Sequence, residues 1–362
     1  MRSWKAQVVA AGRTLERWFD RLRFGLKRRT GRIGPIEILA YRGHGTRDRL
    51  FLKGRVLETV GTAPPSAGDS RRRNLRNMVR RFLSSEIPRA RVRASHGGHE
   101  VEVVADEEGF FDLRFDLEEP LGGSTGWHPV EIELLWPHTG EAGARALGSV
   151  LVPAGAQFGV ISDLDDTVLR SSVTDLLRMA RIVLLSNART RLPFEGVSDF
   201  YRALQLGSSG EGSNPIFYVS SSTWNLYDML EDFLDVHGVP AGPLFLKYWS
   251  PTALRDHDRH KLGVIRTLLA TYTELPFVLI GDSGERDPEI YRQVVREYPG
   301  RVRAIYIRDV TTRDRDAAVH VIADELKSIG VEMLLTTETV EAAEHAAEKG
   351  LISPKALPAL RE

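Results

Sequence analysis

Four short runs of almost unbroken apolar residues constrain this chain more than any other feature. They are FGVISDLDD from Phe158, IFYVSSS from Ile216, PFVLIGDSG from Pro276 and VRAIYIRDV from Val302. Helical patterns lie between them, at Val197–Leu206, Leu226–His237, Lys261–Tyr272 and Pro288–Tyr298. Strands that are apolar on both faces and alternate with helices predict a parallel sheet covered on two sides. In such sheets ligands bind beyond the carboxyl ends of the strands. Three of the four runs end in polar residues suited to chemistry, so the crowded acids Asp163, Asp165 and Asp166 stand where this architecture builds sites.

The preceding segment has a different texture. Val101 and Val103, then Phe111, Leu113 and Phe115, alternate with polar residues at a period of two, which predicts half-buried strands. HGGHE and DEEG read as hairpin turns. This region is expected to be mainly antiparallel, a sandwich or barrel, without a catalytic constellation. His44, His96, His99 and His128 are scattered through it as loop or surface residues.

Two stretches are strongly basic. Residues 1–32 carry ten Lys and Arg against Glu16 and Asp20. Trp4, Val8, Ala11, Leu15, Trp18, Leu22 and Leu26 recur at helical spacing within them. An amphipathic leader of this kind either docks on protein, or lies in a membrane interface with its arginines toward anionic headgroups, or forms a basic arm. SRRRNLRNMVRRFLSSEI also reads as a helix, with Arg71, Arg72, Arg73, Arg76, Arg80 and Arg81 on one face, solvated or binding phosphate. The resulting organisation is a leader over 1–32, a β-rich domain over 33–152, an α/β domain over 153–340 and a helical tail over 341–362.

Composition removes several function classes. The 362 residues include no cysteine, which excludes disulfides, thiol nucleophiles and Cys-ligated metals. Formal net charge is zero, so no specific nucleic-acid partner is expected. No apolar run approaches the ~20 residues of a membrane-spanning helix, and Ala6–Ala11, interrupted by Gln7, is a poor signal peptide. The expected location is cytoplasmic, with peripheral contact at the inner membrane face as one reading of the leader.

Asp163 and Asp165 are two residues apart, where a tight turn can bring alternate side chains together. Two adjacent carboxylates stay ionised cheaply only around a cation, and oxygen-only ligands favour Mg²⁺. Ser220 follows IFYV and can donate to a phosphate oxygen. Ser221 and Ser222 read as helix caps. Asp282 and Asp287 follow PFVLIG as two more carboxylates, and Lys261 opens the preceding helix. His257 and His260 in HDRH fit a polar loop better than a metal pair.

The order DLDDT (163–167), YVSSS (218–222), Lys261 and GDSGERD (281–287) resembles the four motifs of the haloacid dehalogenase (HAD) superfamily of phosphatases. FGVISDLDDTV, FYVSSSTWNLYDML and LPFVLIGDSGERDPEIY further resemble the phosphatidate phosphatase family typified by the yeast actin-patch protein. YRGHGT…LFLKGRVLE extends the likeness to bacterial members, over roughly 35–335. The resemblance implies a HAD-like Rossmannoid sheet with a minimal cap and a Mg²⁺-dependent phosphatase. It implies that Asp163 is the nucleophile, forming an aspartyl-phosphate, and Asp165 the general acid and base. Asp163, Asp165 through its carbonyl, Asp282 and Asp287 would hold Mg²⁺, with Ser220 and Lys261 on the phosphoryl group and Thr167 supporting the first loop.

A short insertion over 168–215 would leave the site open to a large substrate, with Arg189, Arg191 and Phe194 at its mouth or in a surface loop. Phosphatidate is the implied substrate. The alternatives are a phosphatase of soluble phosphoesters or phosphoproteins, and an inactive membrane-binding scaffold.

Overall fold

The computed structural model describes residues 34–58, 85–123, 126–138, 143–164, 196–248, 257–310 and 313–360. The basic leader, residues 70–84 of the arginine-rich segment, Asp165–Thr167 and the mouth residues Arg189, Arg191 and Phe194 lie outside the described residues. The helix expected over 70–87 is corrected at its end, where Ser85–Glu86 form a strand paired with Leu57 and Glu58. The rest divides into two compact units: the first runs to Leu121 and from Trp127 to Val150, and the second comprises Gly122–Gly126 and the chain from Leu151.

The first unit is built on a nine-stranded sheet. Its strands are β1 (Ile36–Ala40), β2 (Gly43–Gly45), β3 (Arg49–Glu58), β4 (Ser85–Glu86), β5 (Arg91–His96), β6 (His99–Val104), β7 (Phe110–Asp116), β8 (Gly126–Trp136) and β9 (Arg145–Val152). The long strand β3 pairs antiparallel with β1, β2, β4 and β7. In β7 the aromatic and aliphatic side chains of Phe111, Leu113 and Phe115 are buried while Asp112, Arg114 and Asp116 face out, the expected period of two. Gly97 and Gly98, at φ 56° and 86°, make the β5–β6 hairpin between the paired His96 and His99. Asp106 Oδ1 accepts the N–H groups of Glu108 and Phe110 and fixes the β6–β7 turn. His44 stacks on Phe51, and His96 lies 6.0 Å from His128. Among the described residues these histidines form no set that could hold a metal.

The second unit carries a six-stranded sheet: β10 (Gly159–Asp163), β11 (Ile216–Thr223), β12 (Leu244–Lys247), β13 (Phe277–Asp282), β14 (Val302–Arg308) and β15 (Met333–Thr336). All five pairings are parallel, in the order β12-β11-β10-β13-β14-β15. Renumbered from the first strand, the order is 3-2-1-4-5-6, the doubly wound arrangement, with its switch point between β10 and β13. Among the described residues the α-helices are α1 (Val197–Leu206), α2 (Tyr227–Val236), α3 (His257–Thr271), α4 (Asp287–Glu297), α5 (Arg313–Ser328), α6 (Thr339–Glu348) and the single turn α7 (Leu357–Leu360).

Alternation along the strands sorts the core into two layers. Ile161, Phe217, Leu279, Ile305 and Ile307 pack with Ile265, Leu268 and Leu269 of α3, Ile290 and Val294 of α4, and Val319 and Leu326 of α5. The opposite face offers aromatic contacts: Tyr218 stacks on Tyr201 of α1, and Tyr306 meets Phe200 of α1 and His345 of α6. Fully burying one such apolar side chain is worth about 1.5–3 kcal/mol.

Two local readings change. Helix α3 begins at His257, which puts Lys261 in its second turn. Ser221 and Ser222 are not caps, because β11 continues to Thr223 and the next turn starts at Trp224. Helix α6 has Glu338 at its N-cap, and Thr336 Oγ1 accepts the Glu338 N–H and bonds the Glu341 carboxylate.

Candidate active site

The site forms where β10 and β13 end side by side. Ser162 is in register with Ile280, so Asp163 stands level with Gly281, one residue before Asp282. On the other flank Asp163 pairs with Val219, which places Ser220 one position beyond. Ser220 is 1% exposed, and its Oγ accepts the Ser222 N–H. The backbone under Asp163 is fastened from α1: Ser162 Oγ lies 2.6 Å from Tyr201 Oη and 2.9 Å from the Asp163 carbonyl.

Asp287 enters from the start of α4, where Pro288 occupies the first turn and an acid suits the helix dipole. It is fully buried. Its Oδ2 accepts the Asp282 N–H at 3.2 Å, and Glu285 N–H donates to Asp282 Oδ1 at 2.9 Å. Gly281 makes this approach possible: a Cβ there would sit 2.1 Å from Asp287 Oδ2. Tyr291 Oη donates to the Ile280 carbonyl and ties α4 to β13.

Lys261 closes the cluster. Its Nζ lies 2.9 Å from Asp163 Oδ1, 3.0 Å from Glu285 Oε2 and 2.5 Å from Asp287 Oδ1, with the side chain 2% exposed. Burial alone would lower the pKa of this ammonium, but Asp287, Asp163 and Glu285 outweigh it and hold it well above the ordinary lysine value. Burial pushes Asp287 up to about 6 although Lys261 pulls it down; the nearby Asp282 charge adds to the rise. Three carboxylates contact this one ammonium, and a fourth, Asp282, stands beside them.

Carboxylate oxygens of Asp163, Asp282, Glu285 and Asp287 all lie within 4.8 Å of one another. An all-oxygen set of this density could hold a metal ion, and its donors suit a hard cation.

The structure thus gathers Asp163, Lys261, Asp282 and Asp287 into one cluster; Ser220 does not follow its strand, as the sequence suggested, but lies within β11, one residue beyond the register of Asp163. Asp165 and Thr167 lie outside the described residues. Sequence reasoning missed Glu285, Gly281, Tyr201 and Arg315. The last donates to the Ser283 carbonyl at 3.0 Å and the Glu285 carbonyl at 2.8 Å while gripping Glu289 with both terminal nitrogens. Ser283 Oγ further bonds Asp309 and accepts the Val310 N–H. Three acids within the six residues Asp282–Asp287 were the available signal for Glu285; nothing in sequence spacing marks Arg315.

Among the described residues no helix is long and apolar enough to cross a membrane. Residues 158–309 match the family described as "Phosphatidate phosphatase APP1, catalytic domain". Phosphatidate phosphatase APP1 of Saccharomyces cerevisiae is 31% identical over 168 residues, 45% of this chain and 28% of that protein. An uncharacterized protein of Schizosaccharomyces pombe is 31% identical over 159 residues, 42% of this chain and 25% of its own length. The chain therefore spans only about a quarter of each of these relatives. A solved carbohydrate acetylesterase of Xanthomonas citri covers 82% of this chain and 66% of its own, at 11% identity and a TM-score of 0.27, a likeness too slight to carry an argument. Over the residues that build the carboxylate–lysine cluster, this chain is APP1-like, similar in sequence to the catalytic domain of that phosphatidate phosphatase family.

Proposed function

We propose that the chain is a Mg²⁺-dependent, HAD-like phosphatase that hydrolyses a phosphomonoester through an aspartyl-phosphate, with phosphatidate as substrate and diacylglycerol as product. The observation that carries this reading is the buried ammonium of Lys261 held between Asp163 and Asp287 at 2.9 and 2.5 Å. Phosphoryl transfer needs positioning and neutralisation of charge on the phosphoryl oxygens more than covalent assistance.

In this mechanism Asp163 attacks phosphorus while the ester oxygen leaves with a proton from Asp165. A water deprotonated by Asp165 then attacks the aspartyl-phosphate, releasing inorganic phosphate and free Asp163. Splitting the reaction this way replaces one difficult displacement with two easier ones, and the proton transfers contribute about 10²–10⁴-fold. Lys261 and Ser220 orient the phosphoryl oxygens. Asp163, the Asp165 carbonyl, Asp282 and Asp287 are the residues that would hold Mg²⁺, which when bound neutralises charge on the phosphoryl group. Thr167 supports the first loop.

The lipid assignment draws on the APP1 likeness and on a mostly apolar cleft beside the cluster. Phe200, Tyr201, Ile280, Tyr306 and Ala342 line it, together with the charged Asp163, Asp282, Arg308 and Glu338. An apolar wall next to phosphate-handling groups suits an ester whose alcohol is a lipid. The leader would add contact with an anionic membrane surface.

Phosphate release by the full chain from phosphatidate in mixed micelles, beside glycerol phosphate, sugar phosphates and nucleotides, tests the assignment. Turnover of phosphatidate that stops with EDTA and with Asp163→Asn is expected. Release from soluble esters alone would overturn the lipid substrate; wild-type-like turnover by Asp163→Asn would overturn the mechanism.

A further inference from the structure

The partners of Lys261 raise a question of exchange. Lys261 Nζ lies within 3.0 Å of three carboxylates, hydrogen-bonded to Glu285 and Asp287 and in ion contact with Asp163. A phosphoryl oxygen approaching this buried ammonium, whose side chain is 2% exposed, competes with the carboxylates that cover it. Asp287 is fully buried and also holds the Asp282 N–H. Asp163 is 3% exposed and stands at the end of β10. Glu285 alone among the three reaches solvent, with its side chain 22% exposed.

Its backbone, by contrast, is pinned. The Glu285 N–H donates to Asp282 Oδ1, and the Glu285 carbonyl accepts from Arg315, which also holds the Ser283 carbonyl and Glu289. The side chain can therefore swing toward water while the loop carrying Asp282 and Asp287 stays in place.

We propose that Glu285 is the displaceable occupant of the phosphoryl position on Lys261: its carboxylate stands in for the anion in the resting site and is expelled when a phosphate group binds. Glu285 thereby sets affinity for substrate and for inorganic phosphate, weakening both, and speeds release of product. This rests on the phosphatase reading and adds to it a residue that governs phosphate retention.

The test is titration calorimetry of inorganic phosphate into the full chain at saturating Mg²⁺, with separate Mg²⁺ titrations, for wild type, Glu285→Gln and Glu285→Asp. Removing one competing, partly exposed charge is expected to tighten phosphate binding about fivefold in Glu285→Gln, the worth of a single such ion pair. KM should fall with it, and kcat should fall if phosphate release limits turnover. Glu285→Asp, which keeps the charge on a shorter stem, should lie between. Thermal melts would show both variants folded.

Unchanged or weaker phosphate binding by a folded Glu285→Gln would overturn the proposal while leaving the phosphatase reading intact. A tenfold loss of Mg²⁺ affinity without phosphate would also overturn it, by making Glu285 a metal ligand. A wild type that neither binds phosphate nor hydrolyses any ester would remove the phosphatase reading and this proposal together.

Discussion

Lys261 and Asp163 meet at 2.9 Å, one from the second turn of α3 and the other from the last residue of β10. Both are almost fully buried, so the pair survives only because each desolvated charge has the other and further partners. Replacing Lys261 by Met would leave Asp163, Glu285 and Asp287 facing one another without a counter-charge. Breaking a buried pair in this way costs about 3–5 kcal/mol. The expected result is a lower melting temperature for Lys261→Met in EDTA, and a larger upward shift on adding Mg²⁺ than wild type shows. Equal Mg²⁺ shifts in both proteins would contradict a shared electrostatic site.

Gly281 offers a test that touches no charge. Its side-chain position is taken by Asp287, whose Oδ2 would lie 2.1 Å from an added Cβ. Gly281→Ala must push Asp287 and the start of α4 away from the Asp282 N–H. Overpacking of this kind costs about 1–3 kcal/mol, while an ångström of misplacement at a catalytic cluster costs on the order of 10²-fold in rate. The variant should fold, with a modestly lower melting temperature and a disproportionate loss of kcat/KM. Full activity would show that Asp287 has no fixed position to lose.

These residues also mark how far the sequence could be read. Asp163, Ser220 and Asp282 were legible because each follows an unbroken apolar run, and a parallel sheet brings such runs together whatever their separation in sequence; Asp287, five residues further on, was legible only as part of the GDSGERD motif. Glu285 was not, since an acid in a polar loop has no periodicity to betray it. Strand β12, only Leu244–Lys247, was too short to stand out from its prolines and glycines. Helix α5 was overlooked although Val319, Ile322 and Leu326 form a buried stripe. The true start of α3 was hidden because its first turn, His257–His260, is wholly polar.

Arg315 is predicted to act at a distance from the chemistry. It fastens the Ser283 and Glu285 carbonyls and Glu289, and so fixes the loop between Asp282 and Asp287. Lysine cannot reproduce the forked contacts of a guanidinium. Arg315→Lys should weaken Mg²⁺ binding about tenfold, the lower end for a residue that orients metal ligands, measured by calorimetry, while kcat at saturating Mg²⁺ recovers most of its value. A matching loss in kcat at all Mg²⁺ concentrations would assign Arg315 a direct part in the reaction.

The antiparallel unit carries its own pH signature. His44 lies between Gly43 and Gly45, stacked on Phe51 at 5.2 Å, and burial lowers its pKa to about 4. The unfolded chain, with His near 6.5, then binds more protons than the folded one between pH 6.5 and 4, so stability rises with pH across that window. The contribution is fully present above pH 6.5 and is lost as pH falls toward 4. A shift of this size corresponds to about 3 kcal/mol when fully buried; His44 retains partial solvent access, which reduces the expected loss to about 1–2 kcal/mol. His44→Phe keeps the ring contact and removes the proton site. Urea unfolding of the two proteins at pH 7, 5.5 and 4.5 should show wild type losing stability faster than the variant on acidification; parallel losses would place the acid sensitivity elsewhere.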